Sequence, residues 1–147
     1  MTASNNDRLA LVTGTSSGIG AALAAALLGR GWTVIGLARR AADFDHPDYR
    51  HIALDLADLD ALEEAARRDL GPVLAESRWS RAALVNNAAL SGQSRGLETI
   101  APGPLRELLA VNTVAPMFLM GFVTRVTPPA VPLRIVNVSS GAAVRAF

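Results

Sequence analysis

The run Leu9-Ala-Leu-Val-Thr-Gly-Thr-Ser-Ser-Gly-Ile-Gly20 decides how this chain is read. Leu9–Val12 is an apolar run that passes directly into a glycine-rich turn. The turn passes into Ala21–Leu28, a set of strong helix formers with no breaker before Gly29. Strand, glycine loop and helix N-terminus, in that order, make a cradle for phosphate. Glycines let the backbone approach a ligand closely, and the free N–H groups of the first helical turn attract anions. The glycines stand at 14, 18 and 20, not at the G-x-G-x-x-G spacing of the standard dinucleotide fingerprint.

Outward from this stretch, strands and helices alternate. Leu9–Thr13 is expected as a first strand, Gly18–Leu28 as a first helix, and Thr33–Ala38 as a second, buried strand. Ala41–Tyr49 reads as a polar loop and His51–Leu56 as a third strand. Leu59, Leu62, Ala66 and Leu70 recur at helical spacing, with Asp58 as N-cap, and Gly71-Pro72 is expected to end that helix. Ala82–Asn86 is the fourth strand, Leu90–Pro104 a loop, Leu105–Arg125 a long helix and Leu133–Ser139 the fifth strand. Almost wholly apolar strands that alternate with helices indicate a parallel sheet covered on both faces. The expected architecture is a doubly wound, Rossmann-like α/β sheet in the order 3-2-1-4-5.

Composition removes several classes. A chain of 147 residues, half of them apolar, is long enough to bury a real core. A net charge of +1 makes no electrostatic case for nucleic acid or an anionic membrane. Without cysteine there is no disulfide framework and no thiolate site. Met1–Arg8 is polar and has no apolar signal core. The uncharged stretch Leu108–Thr124 is shorter than the roughly 20 apolar residues of a spanning helix, so it reads as a buried helix of a cytoplasmic protein. Asp43, Asp45, His46 and Asp48 share a polar loop that reads as solvated, not as a metal site. No G-x-S-x-G elbow is present, and His46 and His51 lie far in sequence from the serines near the C-terminus, so hydrolase chemistry is not expected. All 14 basic residues are Arg, and Tyr49 is the one tyrosine.

Thr13-Gly14-x-x-x-Gly18-x-Gly20 resembles the signature of the classical short-chain dehydrogenase/reductase family. Two further segments carry the same resemblance. Asn86-Asn87-Ala88-Ala89 is similar to the family's Asn-Asn-Ala-Gly, with Ala in place of the last Gly. Ile135-Val-Asn-Val-Ser-Ser-Gly141 resembles the segment that ends in the catalytic serine. The resemblance covers essentially the whole chain, as the N-terminal portion of a family member. It implies a hydride transfer between a nicotinamide cofactor and a small carbonyl or alcohol substrate.

The resemblance also implies roles. Gly14, Ser16, Ser17, Gly18, Ile19 and Gly20 are expected to cradle the pyrophosphate. An acidic residue after the second strand would bind a ribose hydroxyl and repel a 2′-phosphate, and a basic one does the reverse. Ala38-Arg39-Arg40 lacks the acid and offers two cations, so NADP(H) is expected in preference to NAD(H), and a methyltransferase is disfavoured. Asp55, with Leu56, is placed to accept from the adenine amino group. Asn87, Ala88 and Val138 complete the cofactor set. Ser140 is expected to hydrogen-bond the substrate carbonyl. Pro116 has no N–H to give the carbonyl of Asn112, which is left free at a kink to hold a relay water, as the matching Asn does in the family.

The family's Tyr-x-x-x-Lys acid would fall just past Phe147, and Tyr49 is in the wrong place for it. The expectation is therefore a reductase or dehydrogenase whose full-length form is a homo-oligomer. The 147-residue chain alone is expected to be inactive, with the fifth strand as an exposed sheet edge. The alternative is a non-catalytic NADP(H)-binding protein or a decayed gene product.

Overall fold

The computed structural model describes residues 6–42, 45–92 and 97–141. Five strands form one parallel sheet: β1 (Arg8–Thr13), β2 (Thr33–Ala38), β3 (Tyr49–Ala53), β4 (Arg81–Asn86) and β5 (Leu133–Asn137). Their order is β3-β2-β1-β4-β5, as expected. The chain runs outward from β1 to β3, then returns to place β4 on the other side of β1. The C-terminal ends of β1 and β4 thus flank the switch point where ligands of such sheets bind.

Alternation along the strands builds the two faces. Leu9, Leu11, Ile35, Leu37 and Leu84 point to one face. There they meet Leu62 of α2 (Leu59–Ala65), Leu74 of α3 (Gly71–Leu74), and Leu119 and Val123 of α5 (Ala115–Val126). Ala10, Val12, Val34 and Val85 point to the other face, against Ala24 and Leu28 of α1 (Gly18–Leu28). Each large apolar side chain so buried contributes about 1.5–3 kcal/mol. Asp58 caps α2 as expected: its Oδ1 accepts from the Ala61 N–H at 3.0 Å.

Several boundaries differ from the sequence reading. β3 begins at Tyr49 and stops at Ala53, opposite Ala38 where β2 ends. Leu54 N–H still donates to the Ala38 carbonyl at 3.2 Å, but past Ala53 the chain leaves the sheet, and Leu54 and Leu56 enter the core (7% and 6% exposed). β5 likewise stops at Asn137, opposite the last residue of β4.

Gly71-Pro72 does not end its helix. Residues 66–70 form a π-helical turn in which Gly71 N–H donates to the Ala66 carbonyl, five residues back. This wider turn absorbs the proline, and α3 continues to Leu74. The same device recurs in the long helix. Ala115 N–H donates to the Ala110 carbonyl across a second π turn, Ala110–Val114, with Pro116 immediately after. That turn joins α4 (Pro102–Leu109) to α5, so the long helix starts at Pro102 instead of Leu105.

At 25 residues, Pro102–Val126 is long and apolar enough to cross a membrane by length and composition. It is not buried all round. Val111, Ala115, Leu119 and Val123 lie in the core, whereas Leu105, Leu109, Val114 and Met117 are exposed. Among the described residues β5 is an outer strand, with Val136 41% exposed.

Candidate functional site

The cradle is built where β1 hands over to α1. Gly14 and Gly18 have φ of +77° and +59°, the left-handed region that glycine enters at no steric cost. Gly20 serves a different need. A Cβ there would collide with the Gly14 carbonyl oxygen and lie 2.5 Å from Asn87 Nδ2, so the helix can approach the loop only with glycine. Ser17, extended at the N-cap, makes no side-chain cap, and the first turn of α1 has no acidic residue. The positive end of the helix therefore faces the loop without an internal counter-anion.

β4 is tied to this loop by hydrogen bonds. The Thr13 hydroxyl accepts from the backbone N–H of both Asn87 and Ala88, each at 2.9 Å. Asn87 Nδ2 donates to the Thr13 carbonyl at 3.0 Å. Gly14 N–H donates to the Leu37 carbonyl at 2.8 Å, which fixes the loop against β2. Thr13, 2% exposed, is thus an organising residue that sequence reasoning missed. A hydroxyl at a strand end leaves no periodic signal.

A cavity of about 350 Å³ opens over these strand ends. Its wall includes Gly14, Ser16, Ser17, Arg39, Arg40, Asp55, Leu56, Asn87 and Ala88. It therefore brings together nine of the residues expected to bind cofactor. Gly18, Ile19 and Gly20 do not line it, and Ile19 is 67% exposed. Arg39 Nη1 lies 3.9 Å from Asp55 Oδ2 across the cavity, with both side chains largely in solvent. The other carboxylate oxygen of Asp55 accepts from Ala57 N–H at 3.0 Å and shapes its own turn. Exposed pairs of this kind contribute at most about 1 kcal/mol, so Arg39 is readily released to a stronger anion.

A second cavity adjoins the first through Asn87, Ala88 and Ala89. It is lined by Asn112, Pro116, Val138 and Ser140, the residues expected on the substrate side together with Val138 from the cofactor set. Asn86 and Asn137, paired in register, hold the strand ends above it, with Asn86 Nδ2 donating to Asn137 Oδ1 at 2.8 Å. Val138 N–H donates to the Asn86 carbonyl at 2.9 Å and carries that alignment one residue further. Asn112 clamps the segment after β4, with Leu90 N–H donating to its Oδ1 and its Nδ2 donating to the Leu90 carbonyl, both at 2.8 Å. Tyr49 is not in this cavity and packs on the α1 face of the sheet.

A parallel doubly wound sheet with an uncapped helix behind a glycine loop, and a second cavity beside it, defines a Rossmann-like α/β domain of the nucleotide-binding kind. The family model for short chain dehydrogenases matches residues 8–147, and the chain belongs to that family. D-erythrulose reductase of Gallus gallus is 39% identical over 146 residues, covering 95% of this chain and 55% of the relative. A short-chain dehydrogenase/reductase from Burkholderia vietnamiensis superposes with a TM-score of 0.90 at 27% identity, covering 97% of this chain and 68% of that one. A family oxidoreductase from Brucella ovis, in complex with a partially ordered NAD, gives a TM-score of 0.78 at 29% identity, over 97% and 66%. The chain spans about half the length of the curated relatives it matches. Those relatives include D-erythrulose and L-xylulose reductases, and the family binds a nicotinamide cofactor.

Proposed function

We propose that this chain is the cofactor-binding portion of a cytoplasmic, NADP(H)-dependent carbonyl reductase or alcohol dehydrogenase. The observation that carries the reading is the continuity of the two cavities past Asn87 and Ala88, from the glycine cradle to Ser140. The residues fit a dinucleotide. Gly14 and Gly20 let the loop pack closely against α1 and Asn87, and the open end of α1 suits a pyrophosphate. Arg39 and Arg40 supply charge-assisted donors where a 2′-phosphate would sit, and no acid at position 38 repels it.

When bound, the nicotinamide supplies or accepts the hydride. The Ser140 hydroxyl donates to the substrate carbonyl oxygen and steadies charge that develops there. The Asn112 carbonyl holds a water beside it. The substrate is a small ketone or secondary alcohol. The name of the erythrulose-reducing relative supports a small polar carbonyl compound. A homo-oligomer is proposed for the longer protein.

The 147 residues contain no Lys, and their one Tyr lies outside the Ser140 cavity. These facts favour a second reading, a non-catalytic NADP(H)-binding protein, for the chain taken alone. The test is nicotinamide absorbance with D-erythrulose and NADPH. This chain is expected to show no turnover, because loss of the proton donor alone removes about 10²–10⁴ in rate. The chain extended to family length is expected to turn over, and Ser140→Ala in it to abolish turnover. Robust turnover by the 147 residues, or none by the extended protein, would overturn the catalytic assignment.

A further inference from the structure

Beneath the glycine loop lies a polar chain that the cofactor reading leaves unused. Thr15 is wholly buried within the loop. Its Oγ1 lies 3.0 Å from the Tyr49 hydroxyl, and that hydroxyl lies 3.4 Å from His51 Nδ1. Tyr49 and His51 are two residues apart on β3, so both project from the same face of the sheet. Their rings stack with centroids 6.5 Å apart.

Gly36 of β2 makes the arrangement possible. It sits in register between Val12 of β1 and His51 of β3. A Cβ at Gly36 would collide with the Tyr49 hydroxyl and lie 2.5 Å from Thr15 Oγ1. Three neighbouring segments thus each supply the residue that one buried bond requires: a hydroxyl after β1, a glycine in β2 and a tyrosine in β3.

The imidazole closes the chain on its β3 side. His51 Nε2 is buried and has no hydrogen-bond partner among the described residues. Thr15 Oγ1, the Tyr49 hydroxyl and His51 Nδ1 thus form one continuous polar chain.

We propose that Tyr49, seated by His51, is a positioning residue for the phosphate cradle. Through Thr15 it holds the backbone N–H groups of Ser16 and Ser17 in the orientation that receives a pyrophosphate. The proposal rests on the cofactor reading above and adds to it a determinant of affinity for the diphosphate portion alone.

The test compares Tyr49→Phe, which keeps the ring, with Thr15→Val and with the double variant. Each is titrated with NADPH, ADP and adenosine by calorimetry. Each single variant is expected to weaken NADPH and ADP about fivefold to tenfold, the loss of one buried hydrogen bond, and to leave adenosine within about twofold. The double variant is expected to be no weaker than either single one, and Thr15→Ser, which keeps the hydroxyl, to bind like the parent. Equal losses for all three ligands, multiplicative losses in the double variant, or unchanged NADPH affinity in Tyr49→Phe would each overturn the proposal. If Tyr49→Phe fails to fold, Thr15→Val against Thr15→Ser makes the same comparison. A parent chain that binds none of the three ligands would overturn the cofactor reading itself, a result distinct from binding that ignores Tyr49.

Discussion

Asn112 and Leu90 hold each other by two reciprocal hydrogen bonds of 2.8 Å, side chain to backbone in both directions. The pair joins the π turn of the long helix to the segment that leaves β4. The clamp uses the Asn112 side chain alone and leaves its main-chain carbonyl outside it. Asn112→Ala removes both bonds from an exposed site and is expected to cost about 1–2 kcal/mol. Urea unfolding checks this, and an unchanged midpoint would show that the clamp contributes nothing.

The three cradle glycines are expected to rank by cause. Gly18→Ala meets open space and suffers only its positive φ, a cost of about 1–2 kcal/mol. Gly20→Ala drives a Cβ into the Gly14 carbonyl and Asn87, and overpacking adds about 1–3 kcal/mol where the backbone cannot give way. Gly14→Ala carries both penalties, with φ +77° and Ala88 Cα at 3.0 Å. Thermal melts should therefore place Gly18→Ala nearest the parent. The reverse order would contradict the close packing of loop against helix.

Thr13→Val keeps shape and removes the acceptor for two N–H groups, those of Asn87 and Ala88. Two donors lose their partner together, and the expected loss is about 2–3 kcal/mol. Thr124 is the control, because its exposed hydroxyl donates only to the Met120 carbonyl. Thr124→Ala should stay within about 0.5 kcal/mol of the parent. Equal losses in chemical denaturation would remove Thr13 from its organising role.

The Arg68 side chain, by hydrogen bond and charge, and Arg50 beside it hold the Asp69 carboxyl below its ordinary value of 3.8. The folded-state value is depressed, so the stabilisation is full above 3.8 and is lost as pH falls through the lower folded value. Asp69→Asn should be less stable than the parent at neutral pH, and the two should converge below pH 3.8. A gap that stays constant into acid would show that the ion pair is not its source.

The glycine cradle, the sheet order and the Asp58 cap were legible in the sequence because each rests on a local necessity: a positive φ, an apolar run, a capping carboxylate. Gly71-Pro72 misled for a physical reason. A proline ends a helix only where the turn before it cannot widen, and the π turn at residues 66–70 does widen. The limits of β3 were missed because Leu54 and Leu56 are buried past Ala53, where β2 ends with one last bond from Leu54 N–H to the Ala38 carbonyl. Thr13, Thr15 and Gly36 were illegible since their value lies in what the neighbouring strands bring to them. The fit of Gly36 to Tyr49 appears only once β2 and β3 are in register.

Titration of the chain with NADPH and NADH, repeated on Arg39→Asp, tests the central claim most directly. The parent is expected to bind NADPH saturably and at least about tenfold more tightly than NADH, the size of one charge-assisted contact. Arg39→Asp is expected to abolish that preference while sparing NADH. No saturable binding of either nucleotide, or an equal loss of both in Arg39→Asp, would contradict the account.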